Sequence, residues 1–319
     1  MAWRQSGRLA VNQMPDQLFR RSGTRRGWAA TLRSGLLCLA ALLSATPAFC
    51  DDSARHTFWE VTGRHNKVWL FGSVHVLQAQ DALPQVAMSA YANAETIVEE
   101  VDLNAAMTDL FGGSASQLQM LPEGKTLAGV LGAALYARLQ QEGRKLGIDP
   151  DFMSRLQPWY VALQVQQQQL MRIGFNPLNG VDMQIAVRAQ SDGKPLQGLE
   201  TVADQLSLFA NLSLDEQREM LRATLDEKDP QSQLREIIAA WRGGDTDALE
   251  KQLRKGAEES PELFRKLTTD RNLRWLPQIE KMLQDPKGDY LVVTGALHMV
   301  GRDGLVELLR RKGYRVEQK

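Results

Sequence analysis

The sequence predicts an α/β fold with a mostly parallel sheet, and two matched stretches carry that prediction. Leu70-Phe71-Gly72-Ser73-Val74-His75 and Val293-Thr294-Gly295-Ala296-Leu297-His298 are each an apolar run ending in Gly-x-x-His, and together they use two of the four histidines. Around each, the hydrophobic spacing gives the same order: strand, glycine turn with histidine, amphipathic helix, strand. Right-handed crossovers make the two strands of such a unit parallel. A histidine just past a buried strand and a tight turn stands at the carboxyl edge of the sheet, where open α/β folds bind ligands. Two of them, drawn from opposite ends of the chain, can share one cleft.

The first fifty residues differ from the rest. Arg20, Arg21, Arg25, Arg26 and Arg33 precede an apolar run from Gly35 to Leu43, and Ser44 to Cys50 supplies small residues with a helix-breaking Pro47. That is the layout of a secretory signal peptide behind a long basic leader, so residues 51–319 are expected to form one periplasmic or secreted domain. The run is short for a bilayer span, and no stable membrane span is expected after cleavage; an uncleaved anchor is the minority reading. The length of the leader makes Met14 an alternative start. Both cysteines, Cys38 and Cys50, fall inside or at the end of this leader, which argues against a disulfide or thiol catalysis in the folded domain. Phe49 stands where a lipoprotein signal needs a small residue, which argues against lipidation of Cys50.

Within the domain, His56 to Glu60 and Lys67 to Phe71 are aromatic and β-favouring and flank the turn cluster Gly63-Arg64-His65-Asn66. They predict a hairpin, with His65 as a solvated turn residue. Pro84 to Ala94 has helical spacing, and Thr96 to Val101 reads as a buried strand interrupted by two carboxylates. Roughly 104–285 is a large helical insertion by period, with Lys194 to Glu200 as a short strand inside it. Tyr290 to Thr294 is a strand, Gly301 to Lys312 a helix and Tyr314 to Glu317 a closing strand. The 38 basic residues balance 38 acidic ones, so no basic field points to nucleic acid as a partner.

Neutral imidazole binds divalent metals and titrates near neutral pH, so His75 and His298 can be metal ligands or an acid and base pair. The alternative for each is a helix cap or a core hydrogen bond. Glu99 and Glu100 are adjacent in an apolar strand and point to opposite faces. An inward carboxylate needs a metal, a cation or a proton. Glu100, nearer the carboxyl end, is the preferred ligand or general base, against a strand-end salt bridge. Asp182 follows Gly180-Val181 at a helix start, where a carboxylate is favoured as a cap or by the helix dipole. Glu200 ends the Leu-Gln-Gly-Leu-Glu strand, either as a site carboxylate or as a helix-entry residue. Arg271, next to Asn272, can bind an anion or polarise a carbonyl, although a surface ion pair is the commoner use of such a residue. There is no His-Glu-x-x-His, Gly-x-Ser-x-Gly, P-loop or Cys-x-x-Cys, so zincin, serine-hydrolase and nucleotide-binding readings lack support.

In this order, the hairpin, Phe71-Gly-Ser-Val-His75, Val98-Glu-Glu-Val-Asp102, Pro158-Trp159, Gly180-Val-Asp182, Leu199-Glu-Thr201 with Gln205, Arg271-Asn272, Gly295-Ala-Leu-His298-Met-Val-Gly301 and Gly313-Tyr314 resemble the TraB/PrgY/GumN family, which includes the Tiki proteins that cleave Wnt ligands. The resemblance implies an EreA/ChaN-like α/β core and, from the Tiki members, metal-dependent proteolysis of a peptide or protein substrate. It implies a divalent metal, manganese or cobalt with zinc as a further option, held by His75, Glu100 and His298. Asp182, Glu200 and Arg271 become supporting or substrate-positioning residues, and the choice between Glu99 and Glu100 as site carboxylate stays open. The family is functionally mixed, and fold alone does not fix chemistry. The competing class is a non-catalytic periplasmic binder of a peptide or metal in the same cleft. Haem handling, suggested by ChaN-like relatives, ranks third because only Met299 lies beside either turn as a soft ligand.

Overall fold

The computed structural model describes residues 55–103, 105–106 and 114–319. The leader, both cysteines and the signal-peptide reading lie outside them. Among the described residues, no helix is long and apolar enough to cross a membrane.

The predicted hairpin forms from β1 (Phe58–Thr62) and β2 (Lys67–Ser73), with His65 exposed in its turn. Helix α1 (Gln85–Asn93) leads to β3 (Thr96–Val101). The insertion follows as α2 (Leu127–Leu146), α3 (Pro158–Arg172), α4 (Val181–Asp192), β4 (Leu196–Glu200), α5 (Val202–Ala210), α6 (Leu214–Asp226), α7 (Pro230–Arg242), α8 (Thr246–Glu259), α9 (Pro261–Leu267) and α10 (Thr269–Gln284). The chain closes with β5 (Tyr290–Gly295), α11 (Leu305–Arg311) and β6 (Arg315–Gln318).

The sheet is six-stranded and mixed, in the order β4-β3-β5-β2-β1-β6. Strands β4, β3, β5 and β2 are mutually parallel, and β1 runs antiparallel to both β2 and β6. β5 comes from the far end of the chain yet lies between β2 and β3, so each unit's strands run parallel without being neighbours. The consequence for the site is direct. The two Gly-x-x-His turns leave adjacent strands, with Gly72 opposite Thr294 and Ser73 opposite Gly295.

β2 and β5 are buried nearly throughout, as expected for strands covered on both faces. Phe71, Leu70, Ile97, Leu291, Val292 and Val293 form the centre of the main core, joined by Ile185 of α4 and Trp275 and Ile279 of α10. A second core, built on Leu127, Leu131, Leu135, Val161, Val165 and Leu221, holds α2, α3 and α6 together within the insertion. One predicted element is shorter than its periodicity suggests. The helix over 301–312 begins only at Leu305, because Gly301 adopts a left-handed φ of 81° and Gly304 is its N-cap.

Candidate functional site

The carboxyl ends of β2, β3 and β5 bring the predicted residues together. β2 runs into His75, β3 carries Glu99 and Glu100, and β5 passes through Gly295 into a short 3-10 turn, Ala296–His298. Gly295 is the focus. A Cβ at this position would stand 3.3 Å from Glu100 Oε1, 3.4 Å from His298 Cδ2 and 3.8 Å from His75 Nε2, so glycine leaves open the space these three side chains surround.

The first histidine is oriented by a carboxylate. α4 starts against the first motif: the Val181 amide donates to the Val74 carbonyl at 3.0 Å, and a Cβ on Gly180 would lie 2.2 Å from the His75 carbonyl oxygen. This close approach puts Asp182, in the first turn of α4, beside the motif. Its Oδ1 accepts from Ser73 Oγ at 2.7 Å and its Oδ2 pairs with His75 Nδ1 at 2.8 Å. The proton therefore sits on Nδ1, and Nε2 faces the Gly295 space. Asp182 pushes the His75 pKa up to about 9. The His75 side chain is 65% exposed, so solvent screens part of that attraction.

The second histidine is oriented by an amide. His298 is 5% exposed, and its Nδ1 lies 2.7 Å from Asn272 Oδ1. Asn272 donates through Nδ2 to the carbonyls of His298 and Asp303, which fixes its oxygen as the acceptor from Nδ1–H. His298 Nε2 thus carries the lone pair of a neutral ring. Burial drives its pKa down to about 4, with Arg271 and His75 adding to the fall against Glu100.

The adjacent glutamates differ in state. Glu99 pairs in register with Val293, so it lies on the face shared by Val293 and Ser73, and Glu100 projects from the other. Glu100 Oε1 accepts from the Gly295 amide at 2.7 Å and its Oε2 accepts from Gln205 Nε2 at 3.0 Å and from Arg271 Nη2. Burial opposes its ionisation, but His298, Arg271, His75 and the Gly295 amide together bring its pKa down to about 2. The attraction to His298 needs a protonated ring, which exists only below about 4, so at neutral pH Arg271, the charged His75 and the amide carry this effect. Glu99 is 1% exposed and neither carboxyl oxygen has a hydrogen-bond partner. Burial, followed by repulsion from Asp182 and Asp102, raises its pKa to about 9, so it holds its proton at neutral pH.

Arg271 ties the cluster together. It is 6% exposed, so it is a buried ion pair instead of the commoner surface one. Nε and Nη2 donate to Glu200 Oε1 at 3.0 and 2.7 Å, Nη2 also reaches Glu100, and Nη1 lies 3.1 Å from His298 Nε2. The guanidinium stacks on Trp275 with Cζ 4.5 Å from the ring centroid, and Trp275 Nε1 donates to Glu200 Oε2 at 3.3 Å. Glu200 ends β4, pointing into the site, as its position predicts. Every residue proposed from sequence is therefore in one cluster: His75, Glu100, Asp182, Glu200, Arg271 and His298. Sequence reasoning gave no roles to Asn272, Ser73, Gln205 or Trp275. Trp275, four residues after Arg271 on one helix, was the most findable of these.

The chain is similar to known proteins over nearly all of these elements. The TraB/PrgY/gumN family matches residues 57–318. The chain belongs to that family. It is 26% identical over 243 residues to uncharacterized protein YbaP of Escherichia coli (strain K12), covering 76% of this chain and 87% of that protein. It is 26% identical over 314 residues to metalloprotease TIKI2 of Xenopus tropicalis and 25% over 323 residues to metalloprotease TIKI1 of Homo sapiens. These matches cover 81% and 84% of this chain but only 59% and 63% of the two metalloproteases. No solved structure matches the chain.

The side chains suit a divalent ion in kind: two imidazoles held through Nδ1, one ionised carboxylate, and an open position at Gly295, with the His75 ring, raised to about 9, giving up its Nε2 proton to serve as a ligand. Arg271, however, bonds two of the three donors. Among the described residues, no group of three or more His, Cys, Asp or Glu side chains stands arranged to hold a metal ion.

Proposed function

We propose that this chain is an exported metal-dependent peptidase acting on peptide or protein substrates, with His75, Glu100 and His298 as the residues that would hold a divalent ion. The observation that carries this reading is the convergence of His75 Nε2, the Cδ2 edge of His298 and Glu100 Oε1 around Gly295, with His298 Nε2 3.7 Å from Glu100 Oε1. The family membership and the metalloprotease names of the TIKI relatives support it. When bound, a divalent ion supplies Lewis acidity, polarising a carbonyl and lowering the pKa of water. Manganese or cobalt is our first expectation, with zinc next.

The chain's own residues do the rest. Asp182 and Asn272 orient the two imidazoles by holding their Nδ1 protons. Arg271 supplies a permanent buried positive charge beside these groups, suited to a carbonyl oxygen gaining negative charge. Glu200 and Trp275 keep that guanidinium in the site. Glu99, protonated to about 9 on the other face of β3, is a buried proton store within the same end of the sheet. Burial of Glu100, His298 and Arg271 keeps water from that side of the site, while the exposed His75 leaves the other side open.

A second reading is a non-catalytic periplasmic binder of peptide or metal; the peptide form is favoured by the way Arg271 already bonds Glu100 Oε2 and His298 Nε2. Incubating the purified chain with a peptide library and Mn, Co or Zn separates the two. Cleavage that a chelator removes, and that H75A, E100A and H298A each lack, is the expected result. Peptide or metal binding without cleavage across the metal series would replace the peptidase with the binder.

A further inference from the structure

Arg271 sits on one atom a metal would need and on the carboxylate that carries another. Its Nη1 lies on the Nε2 lone pair of His298 at 3.1 Å and its Nη2 bonds Glu100 Oε2, beside the Oε1 that faces Gly295, yet a guanidinium cannot give up its charge. We propose that Arg271 is a resident counter-cation that competes with a divalent metal for Glu100 and His298 and thereby sets the metal affinity of the site. This rests on the metal-dependent reading above.

The geometry provides what such a competitor needs. The His298 lone pair cannot serve Arg271 and a metal at once, because the other ring nitrogen is committed to Asn272. Releasing His298 and Glu100 does not strand the guanidinium in the core. Glu200 Oε1 takes both Nε and Nη2, the Leu267 carbonyl accepts from Nη1 at 3.2 Å, and the Trp275 face lies under Cζ. Glu200 is itself 4% exposed at its side chain, so it offers a full charge partner within the core. Arg271 therefore has two sets of partners, one shared with the metal and one of its own. The competition is also electrostatic, since a fixed positive charge beside the donors repels a second cation.

Two substitutions then move metal affinity in opposite directions. R271M removes the competitor and leaves Glu100 and Glu200 short of a cation, so binding tightens. E200Q removes the partner Arg271 keeps for itself, holding the guanidinium harder on Glu100, so binding weakens. The test is calorimetric titration of the full chain with Mn, Co and Zn chlorides, with near-UV circular dichroism confirming the fold. The expected result is a Kd about tenfold or more lower in R271M and higher in E200Q. Melting supplies a second readout: metal should raise the Tm of R271M more than that of the unsubstituted chain. If R271M does not fold, R271K replaces it, since a single ammonium cannot span both donors, and a lower Kd is again expected. An unchanged or raised Kd in the folded variant, with binding intact in the unsubstituted chain, overturns this proposal alone. Binding in neither chain overturns it together with the metal-dependent reading, and binding in R271M only supports both.

Discussion

The two Gly-x-x-His turns leave neighbouring strands and carry the same motif, yet their histidines are in opposite states. His75 is exposed and raised to about 9, whereas His298 is buried and lowered to about 4. The nearest difference is the group on Nδ1. A carboxylate, Asp182, holds the first ring, and a carboxamide, Asn272, holds the second. Both partners accept from Nδ1 and leave Nε2 facing inward, but only the carboxylate adds a charge. A repeated motif thus sets geometry, while burial of the second ring and the carboxylate behind the first set protonation.

If the two turns act as one site, H75A and H298A should be equally severe, each lowering cleavage by roughly 10³-fold or more in a peptide assay. Loss in only one variant would break the pairing. The next largest effect is on stability. E100A leaves Arg271 with one buried carboxylate, Glu200, and should cost about 3 kcal/mol in urea unfolding.

Acid separates the turns further. The unfolded His298 ring takes up a proton below about 6.5 that the buried ring refuses until about 4. Stability should therefore fall by about 2 kcal/mol as pH drops through that window. N272D gives this ring a carboxylate like that of His75, and it should raise the imidazole pKa in an NMR titration and flatten the acid loss. A pKa that stays near 4 would show that burial alone controls the ring.

Glu99 provides the reverse test on the opposite face of β3. Its folded pKa of about 9 lies above the ordinary 4.5, so retaining its proton costs stability as pH rises above 4.5. E99Q should be more stable by about 2 kcal/mol at pH 8 and show no gain near pH 4.5, as measured by urea melts. The smallest effect concerns His75. The stability it gains from Asp182 is complete below pH 6.5 and lost as pH rises towards 9. D182N should abolish that decline, by less than about 1 kcal/mol because the ring is largely exposed.

The same comparison marks how much the sequence could disclose. The paired turns, the acidic strand and the strand-ending Glu200 were legible because alternation and glycine punctuation locate strand ends, and strand ends locate the cleft. The helix read over Gly301 to Lys312 is shorter in the structure because the left-handed Gly301 and the extended N-cap Gly304 hold its start back to Leu305. The place of β5 between β2 and β3 depends on long-range pairing that no local pattern encodes. Asn272 and Ser73 escaped assignment because each acts through another residue, and a hydrogen bond to a ring's far nitrogen or to the carboxylate behind it has no spacing of its own. Arg271 was visible as a residue but not as a buried one, since its partners come from β3 and β4 and from the turn after β5.

The most direct test of the central claim is to locate the metal. Crystals of the chain grown with manganese or cobalt, measured with anomalous scattering, should show one peak at Gly295 bonded to His75 Nε2, His298 Nε2 and Glu100, with Arg271 withdrawn onto Glu200. A fully occupied crystal form with no peak there, and Arg271 still bonded to Glu100 and His298, would contradict it.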